Sequence, residues 1–474
     1  MLFNSFHFFI FFIIFYSLYL LLEHKKQNYW LLIGSYFFYA SWSWKFSFII
    51  LTITVVDFFC ALYISKIDNR AAQKGLLSLS IVINLAVLGF FKYSRFFLDN
   101  LHAGEKLFGL TLHPLTLQII LPVGISFYVF RSMSYTIDVY RRTIAPTNHF
   151  GDYALFVSFF PLLLAGPIER AGNLLPQIQK TRSISKNDIQ EGLWLFFWGL
   201  FKKIFMADNL AKLADQVFSP TAQISGLQAL LATYAYAFQI YADFSGYSDM
   251  ARGLSKLMGF DISLNFRFPY FVTNPREFWR NWHISLSTWL RDYLYIPLGG
   301  NRGSNLKTYR NILLTMLLGG LWHGAAWNFV LWGAYHGILL ILFRLLVKNP
   351  SYGKDEIPHR SKLFTGLEMF LMFHLIAFGW LMFRADSCQQ IMTMFQAMVF
   401  HFAPTYATVK YYGLQIIFFT WVVFSVHFLK YQRRDLLIVL KWPDYFRLSF
   451  GVFIFYLTVI WGEFGARQFI YLQF

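Results

Sequence analysis

The run from Leu2 to Leu22 is almost unbroken in apolar side chains, and similar runs recur at 29–44, 46–65, 76–91, 116–137, 153–165, 191–206 and 226–245. More follow at 311–322, 325–346, 363–383, 411–429 and 447–464. About 20 apolar residues rising 1.5 Å each cross about 30 Å of hydrocarbon, so the pattern predicts an all-α integral membrane protein with roughly 10 to 13 spans, some short or broken. Only 14% of the residues are charged, against about 25% in soluble domains. That is too few to clothe the soluble domains that 474 residues would otherwise suggest. No internal repeat or long linker divides the chain, so residues 1–474 read as one polytopic membrane domain.

The formal net charge of +17 would point to nucleic acid in a soluble chain, but in a membrane protein it reports basic cytoplasmic loops, so no nucleic-acid partner is expected. Lys25 and Lys26 follow the first apolar run instead of preceding it, which predicts a retained helix with its N-terminus outside. Lys66, Arg70 and Lys74 in the third loop and Arg131, Arg141 and Arg142 in the fifth agree; Lys92, Arg95 and Lys106 in the fourth do not. The topology is therefore fixed only up to that loop. The two cysteines, Cys60 and Cys388, lie in no metal-ligand or redox spacing, so neither a metal centre nor cysteine chemistry is expected.

Two segments carry most of the chemistry. From Asn274 the chain reads Asn-Pro-Arg-Glu-Phe-Trp-Arg-Asn-Trp-His283-Ile-Ser-Leu-Ser-Thr-Trp-Leu-Arg-Asp-Tyr293, with Asn274 placed to cap a helix, Pro275 at its first position and Glu277 at its third. On one helix over 276–294, Arg276, Arg280, His283, Ser287 and Arg291 fall within about 80° of each other, opposite Phe278, Trp282, Leu286 and Trp289. Such a helix lies at the interface or reenters the protein. Residues 276–310 carry a net charge of +4. That suits a phosphate-bearing ligand; the plainer alternative is an interfacial helix whose arginines meet lipid phosphates and whose His283 bonds a carbonyl.

The second segment, within 311–346, is Leu317-Leu-Gly-Gly-Leu-Trp-His323-Gly-Ala-Ala-Trp-Asn328. An ionisable side chain inside an apolar run is a functional hypothesis by default. On a continuous helix His323 shares a face with Met316, Gly319, Trp327, Val330 and Ala334, which leaves room for a narrow channel or for close helix packing. His336, about 220° away around that helix, and His374 are read as structural. Asp243, Ser245 and Asp249, around Gly246, read first as a turn anchor or helix cap and second as a cavity lining; Asp243 is kept as a candidate substrate ligand.

Together, Arg-Glu-Phe-Trp-Arg-Asn-Trp-His283-Ile-Ser-Leu-Ser, Tyr-Ile-Pro-Leu-Gly-Gly-Asn-Arg302 and Gly-Gly-Leu-Trp-His323-Gly-Ala-Ala-Trp-Asn328 resemble the membrane-bound O-acyltransferase (MBOAT) family, and most of all its alginate O-acetyltransferase branch. Tyr-Ala-Asp243-Phe-Ser-Gly-Tyr-Ser-Asp249 and the closing Phe-Ile-Tyr-Leu-Gln-Phe474 look like that branch too. The resemblance implies a ring of tilted helices, with reentrant segments, around a central tunnel. It also implies that His323 and His283 are the active-site residues, and Asn328 is a candidate substrate contact beside His323. No permanently bound cofactor is implied; acetyl-CoA or an acyl-carrier thioester is the donor, and the acceptor is a polysaccharide reached directly or through a periplasmic SGNH-hydrolase-like partner. The expected setting is the bacterial inner membrane. By helical phase alone, Arg276, Arg280 and Arg291 are candidates for the donor's phosphates. The rivals are a D-alanyl or longer-acyl transferase of the same family and, from another class, a transporter using the histidines as a proton relay.

Overall fold

The structure, a computed structural model, describes residues 1–108, 119–164, 166–219, 224–347, 361–465, 467, 469 and 470. Among these there are helices and no strands. Contacts divide the chain into two compact units, one of residues 1–193 and 251–263, the other of residues 194–250 and 264–474. Six helical stretches among the described residues are long and apolar enough to cross a membrane: His24–Lys66, Arg70–Gly104, Trp327–Leu346, Lys362–Arg384, Tyr406–Arg433 and Asp444–Trp461. The first and sixth of the expected apolar runs form shorter helices, Phe6–Leu21 and Phe150–Leu162.

The first unit holds α1 (Phe6–Leu21), α2 (His24–Lys66), α3 (Arg70–Leu88), α4 (Ser94–Phe108), α5 (Ile125–Tyr140), α6 (Phe150–Ser158) and α7 (Ala171–Gln179). The runs at 29–44 and 46–65 are one helix, α2, which bends where Ser43 leaves helical geometry at φ −160° and ψ 113°. Fully buried Asp57 on α2 ties four helices together. It accepts from Ser80 Oγ (2.6 Å) and Asn84 Nδ2 (2.8 Å) on α3 and from Ser132 Oγ on α5, and Ser132 in turn meets Tyr153 Oη on α6 at 2.8 Å. Arg131, expected in a basic loop, instead lies buried within α5. Its guanidinium donates to the carbonyls of Phe156, Val157 and Leu162, which replace the water it gives up.

Helices α8 (Lys186–Phe201) and α10 (Gly226–Leu257) run through both units. The second unit adds α9 (Asp208–Phe218), α11 (Pro275–Asn281), α12 (Ile284–Leu290), α13 (Asn305–His323), α14 (Trp327–Leu346), α15 (Lys362–Arg384), α16 (Cys388–Phe400), α17 (Tyr406–Thr408), α18 (Leu414–Arg433) and α19 (Asp444–Trp461). Helix α13 packs on α14 through glycine. A Cβ on Gly320 would sit 2.2 Å from the Phe329 carbonyl oxygen, and one on Gly333 2.3 Å from that of Met316, so only bare backbone allows this approach.

No turn or cap forms at Gly246, because α10 runs straight through it. Lys202 donates to Ser245 (3.0 Å) and Asp249 (2.8 Å), so these side chains are satisfied across a helix pair and have no backbone to cap. Gly246 itself serves a close helix crossing, its Cβ position lying 2.8 Å from the Gly199 carbonyl oxygen.

Candidate active site

The expected helix over 276–294 is two short helices meeting at His283. Asn274 caps α11 by accepting from the Glu277 amide, and Pro275 opens the helix, as the sequence predicts. The helix then stops because His283 adopts φ 41° and ψ 56°, a left-handed conformation that a residue other than glycine holds only when its surroundings impose it. Here they do. The Ile284 amide donates to the Asn265 carbonyl, and Ser285 Oγ donates to Asn265 Oδ1 at 2.7 Å. Asn265 is itself fixed by donating to Ser248 on α10. Nothing in a hydrophobic pattern signals this break, since both halves keep the same phase.

Helix α13 ends at His323, and Gly324 to Ala326 turn the chain into α14. The continuous helix assumed from the sequence does not form, so Trp327, Val330 and Ala334 do not share a helical face with His323. Rings enclose its imidazole: Trp322 and Trp332 at 5.0 Å between centroids, Phe383 at 5.3 Å and His283 at 6.3 Å. His283 is fully buried, edge-on to Phe244 at 4.5 Å. Burial pushes its imidazole down to about 3, so it is neutral at physiological pH. His336 sits against Trp332, packed among Phe278, Trp279 and Tyr335, and His374 bonds Tyr234 Oη at 2.7 Å.

Two cavities lie near His323 within this unit, one lined by His323 itself and the other by Phe383, whose ring packs on it. The smaller, of about 330 Å³, is lined by His323 together with Met316, Gly319 and Trp332, and by Arg276, Arg280, Arg291 and Arg344. The three arginines grouped by helical phase therefore reach one cavity despite the break at His283. Arg344, in the last turn of α14, was not singled out in the sequence, where nothing but a basic charge at the end of an apolar span marks it. Among the described residues no carboxylate lines this cavity, although Arg291 pairs with neighbouring Asp292 at 2.7 Å.

The larger, of about 620 Å³, takes Asp243 and Asn328. Asp243 pairs with Lys203 at 2.8 Å and accepts from the Ile470 amide; Asn328 donates to the Ala385 carbonyl. Lys203 also pairs with Asp208 at 2.7 Å, and Asp215 lies between Arg384 (3.0 Å) and Arg467 (2.8 Å). The candidate site residues thus fall into a basic group around His323 and a group of mixed charge around the larger cavity, with His283 lining neither cavity. Among the described residues no cluster of His, Cys, Asp and Glu could hold a metal ion.

The site is thus a buried histidine in the lining of an arginine-rich cavity of a helical membrane protein. The MBOAT, membrane-bound O-acyltransferase family, model matches residues 75–351, and the chain belongs to that family. The chain is an acyltransferase, and the transporter reading falls away. It is 45% identical to "Probable alginate O-acetylase AlgI" of Pseudomonas aeruginosa over 402 residues, which covers 84% of this chain and 75% of that protein. It is 38% identical to the "Peptidoglycan O-acetyltransferase" of Helicobacter pylori (78% and 73% covered) and 29% identical to the "Teichoic acid D-alanyltransferase" of Streptococcus thermophilus (55% and 68% covered). These relatives make it a membrane O-acyltransferase acting on cell-envelope polymers.

Proposed function

We propose that the protein takes an acetyl group from a cytosolic thioester, acetyl-CoA or an acyl-carrier protein, and passes it across the bacterial inner membrane for O-acetylation of an alginate-like exopolysaccharide or another envelope glycan. A periplasmic SGNH-hydrolase-like partner completes the transfer. The observation that carries this reading is His323 in the lining of a cavity that also bears four guanidiniums. Arg344 ends membrane-spanning α14, and Lys307 and Arg310 begin antiparallel α13, so the basic end of the hairpin is its cytosolic end. A cavity of about 330 Å³ is at the small end of ligand pockets, which run from about 300 to 1,000 Å³. It suits a thioester arm, with the donor's phosphates held by Arg276, Arg280, Arg291 and Arg344.

In this mechanism His323 removes the proton from the acceptor hydroxyl as its oxygen attacks the thioester carbonyl carbon. The tetrahedral intermediate collapses as the carbon–sulfur bond breaks, and His323 returns the proton to the leaving thiolate, giving an ester and a free thiol. Neutral His283 keeps one ring N–H to donate to the developing oxyanion or to orient donor or acceptor. Asp243 and Asn328 shape the acceptor's approach from the larger cavity.

The test is radiolabel transfer from acetyl-CoA into the envelope, in membranes carrying wild-type protein or His323→Ala, with and without the candidate periplasmic partner. Labelling that needs both His323 and the partner is expected. Full labelling with His323→Ala overturns the base assignment, and no acetyl transfer by well-folded wild-type protein moves the donor to D-alanyl or longer acyl carriers, the rival that the teichoic acid relative represents.

A further inference from the structure

The two cavities have no lining residue in common. They lie toward opposite ends of α14: Asn328 and Phe329 at its start line the larger one, Phe343 and Arg344 at its end the smaller one. Sixteen residues separate Asn328 from Arg344, about 24 Å along the helix. Of the rings packed on His323, Phe383 lines the larger cavity, whereas Trp332 lines the smaller and Trp322 neither. The Phe383 ring stands edge-on to His323, Phe329 (4.9 Å), Trp332 (5.2 Å) and Trp380 (5.6 Å), and is 1% exposed.

What lies on the far side of that ring is polar. Lys203 between its two aspartates and Asp215 between its two arginines give the larger cavity the polar lining and the room that water needs. A general base beside a bound thioester deprotonates water as readily as an alcohol, and hydrolysis wastes the donor. The backbone around Phe383 is pinned, because α15 ends at Arg384, which pairs with Asp215, and the next carbonyl, of Ala385, accepts from Asn328. Only the side chain is left to swing.

We propose that Phe383 is the seal between the two cavities, a positioning residue that keeps water in the larger cavity away from the acyl carbonyl at His323 until an acceptor hydroxyl displaces the ring. The seal rests on the donor reading above only for its chemical consequence; the barrier itself is a matter of geometry.

Two measurements test it. With radiolabelled acetyl-CoA in membranes, Phe383→Ala raises the ratio of thioester hydrolysis to polymer labelling by about an order of magnitude. Phe383→Leu gives a smaller rise, and adding His323→Ala to Phe383→Ala abolishes the hydrolysis. The ratio is insensitive to how much protein folds, so an equal fall in both products overturns the proposal. The second measurement needs no activity. Cys60 is replaced by Ala, Thr315, which lines the smaller cavity, is changed to Cys, and native Cys388, which is exposed two residues from cavity-lining Asp386, reports which face of sealed vesicles a small charged methanethiosulfonate reaches. From the Cys388 face, Thr315→Cys stays unlabelled with Phe383 and becomes labelled with Phe383→Ala. Labelling with Phe383 intact, or none after its removal, refutes the seal. If wild-type protein neither transfers nor hydrolyses acetyl-CoA, the acetyl-donor reading fails and the labelling still decides the barrier.

Discussion

Asp57 in the first unit and His323 in the second are both ionisable groups set in apolar helices, and they differ in what surrounds them. Asp57 is enclosed by polar partners of matching number and direction, Ser80, Asn84 and Ser132, and lines neither cavity described above. His323 is enclosed by rings, with a cavity opening beside it. An intramembrane ionisable group is a functional hypothesis by default, yet of these two only His323 lines one of the cavities described. Burial marks a polar residue as costly, and the cavity is what separates a working group from a fastening.

The sharpest way to break this comparison is to exchange its expectations. Removing a general base costs about 10²- to 10⁴-fold in rate, so His323→Ala loses transfer to that extent and leaves yield and thermal stability in detergent close to wild type. Asp57→Ala does the reverse: three donors on α3 and α5 lose a shared acceptor, at about 1–3 kcal/mol for each buried donor left unsatisfied. Its melting temperature falls while turnover per folded molecule holds. A stable, inactive Asp57→Ala would mean that the network serves the chemistry, and the cavity criterion would fail.

The same pair shows what a sequence discloses. His323 was legible because it stands alone in an apolar run inside a motif, and the arginines of 276–291 because they recur at helical spacing; all three line one cavity, although Leu286 of the opposite face lines it too and His283 does not. Asp57 satisfies the same rule inside the 46–65 run and was passed over, having no motif around it. The breaks at His283 and after His323 were not legible, because they are imposed from elsewhere in the chain: by Asn265, and by the Gly320–Gly333 contact that folds α14 back on α13. Phe383 was one apolar residue in a span of them. Its role comes from the two cavities, which exist only once distant segments meet. Most of the fold class and half of the site were therefore readable, and what was hidden depends on contacts far apart in sequence.

His283 sharpens the comparison from the side of pH. Its folded pKa of about 3 lies below the unfolded value of about 6.5, so as pH falls from 7 toward 5 the unfolded chain takes up a proton that the folded chain refuses. Stability therefore falls with falling pH, by at most about 2 kcal/mol at pH 5. His283→Asn keeps a side-chain N–H and tolerates the left-handed backbone. The expected result is a smaller drop in melting temperature between pH 7 and pH 5 than in wild type. An unchanged drop would mean that His283 is protonated in the folded state, and a neutral hydrogen-bond donor to an oxyanion would no longer describe it.

The smallest effect belongs to Arg344, and it tests whether the basic lining of the smaller cavity belongs to the site at all. It lines the cavity from a different helix from the other three arginines, so an electrostatic role for the lining predicts that it acts with them although no motif contains it. A partly solvated charge contact contributes about 0.2–1 kcal/mol. Arg344→Gln should then raise the donor KM up to about fivefold with kcat unchanged, and added salt should narrow the gap by screening both proteins' remaining charges. A fall in kcat at constant KM would place Arg344 in the transition state instead, and no change at low salt would leave lipid phosphate as the partner of this guanidinium.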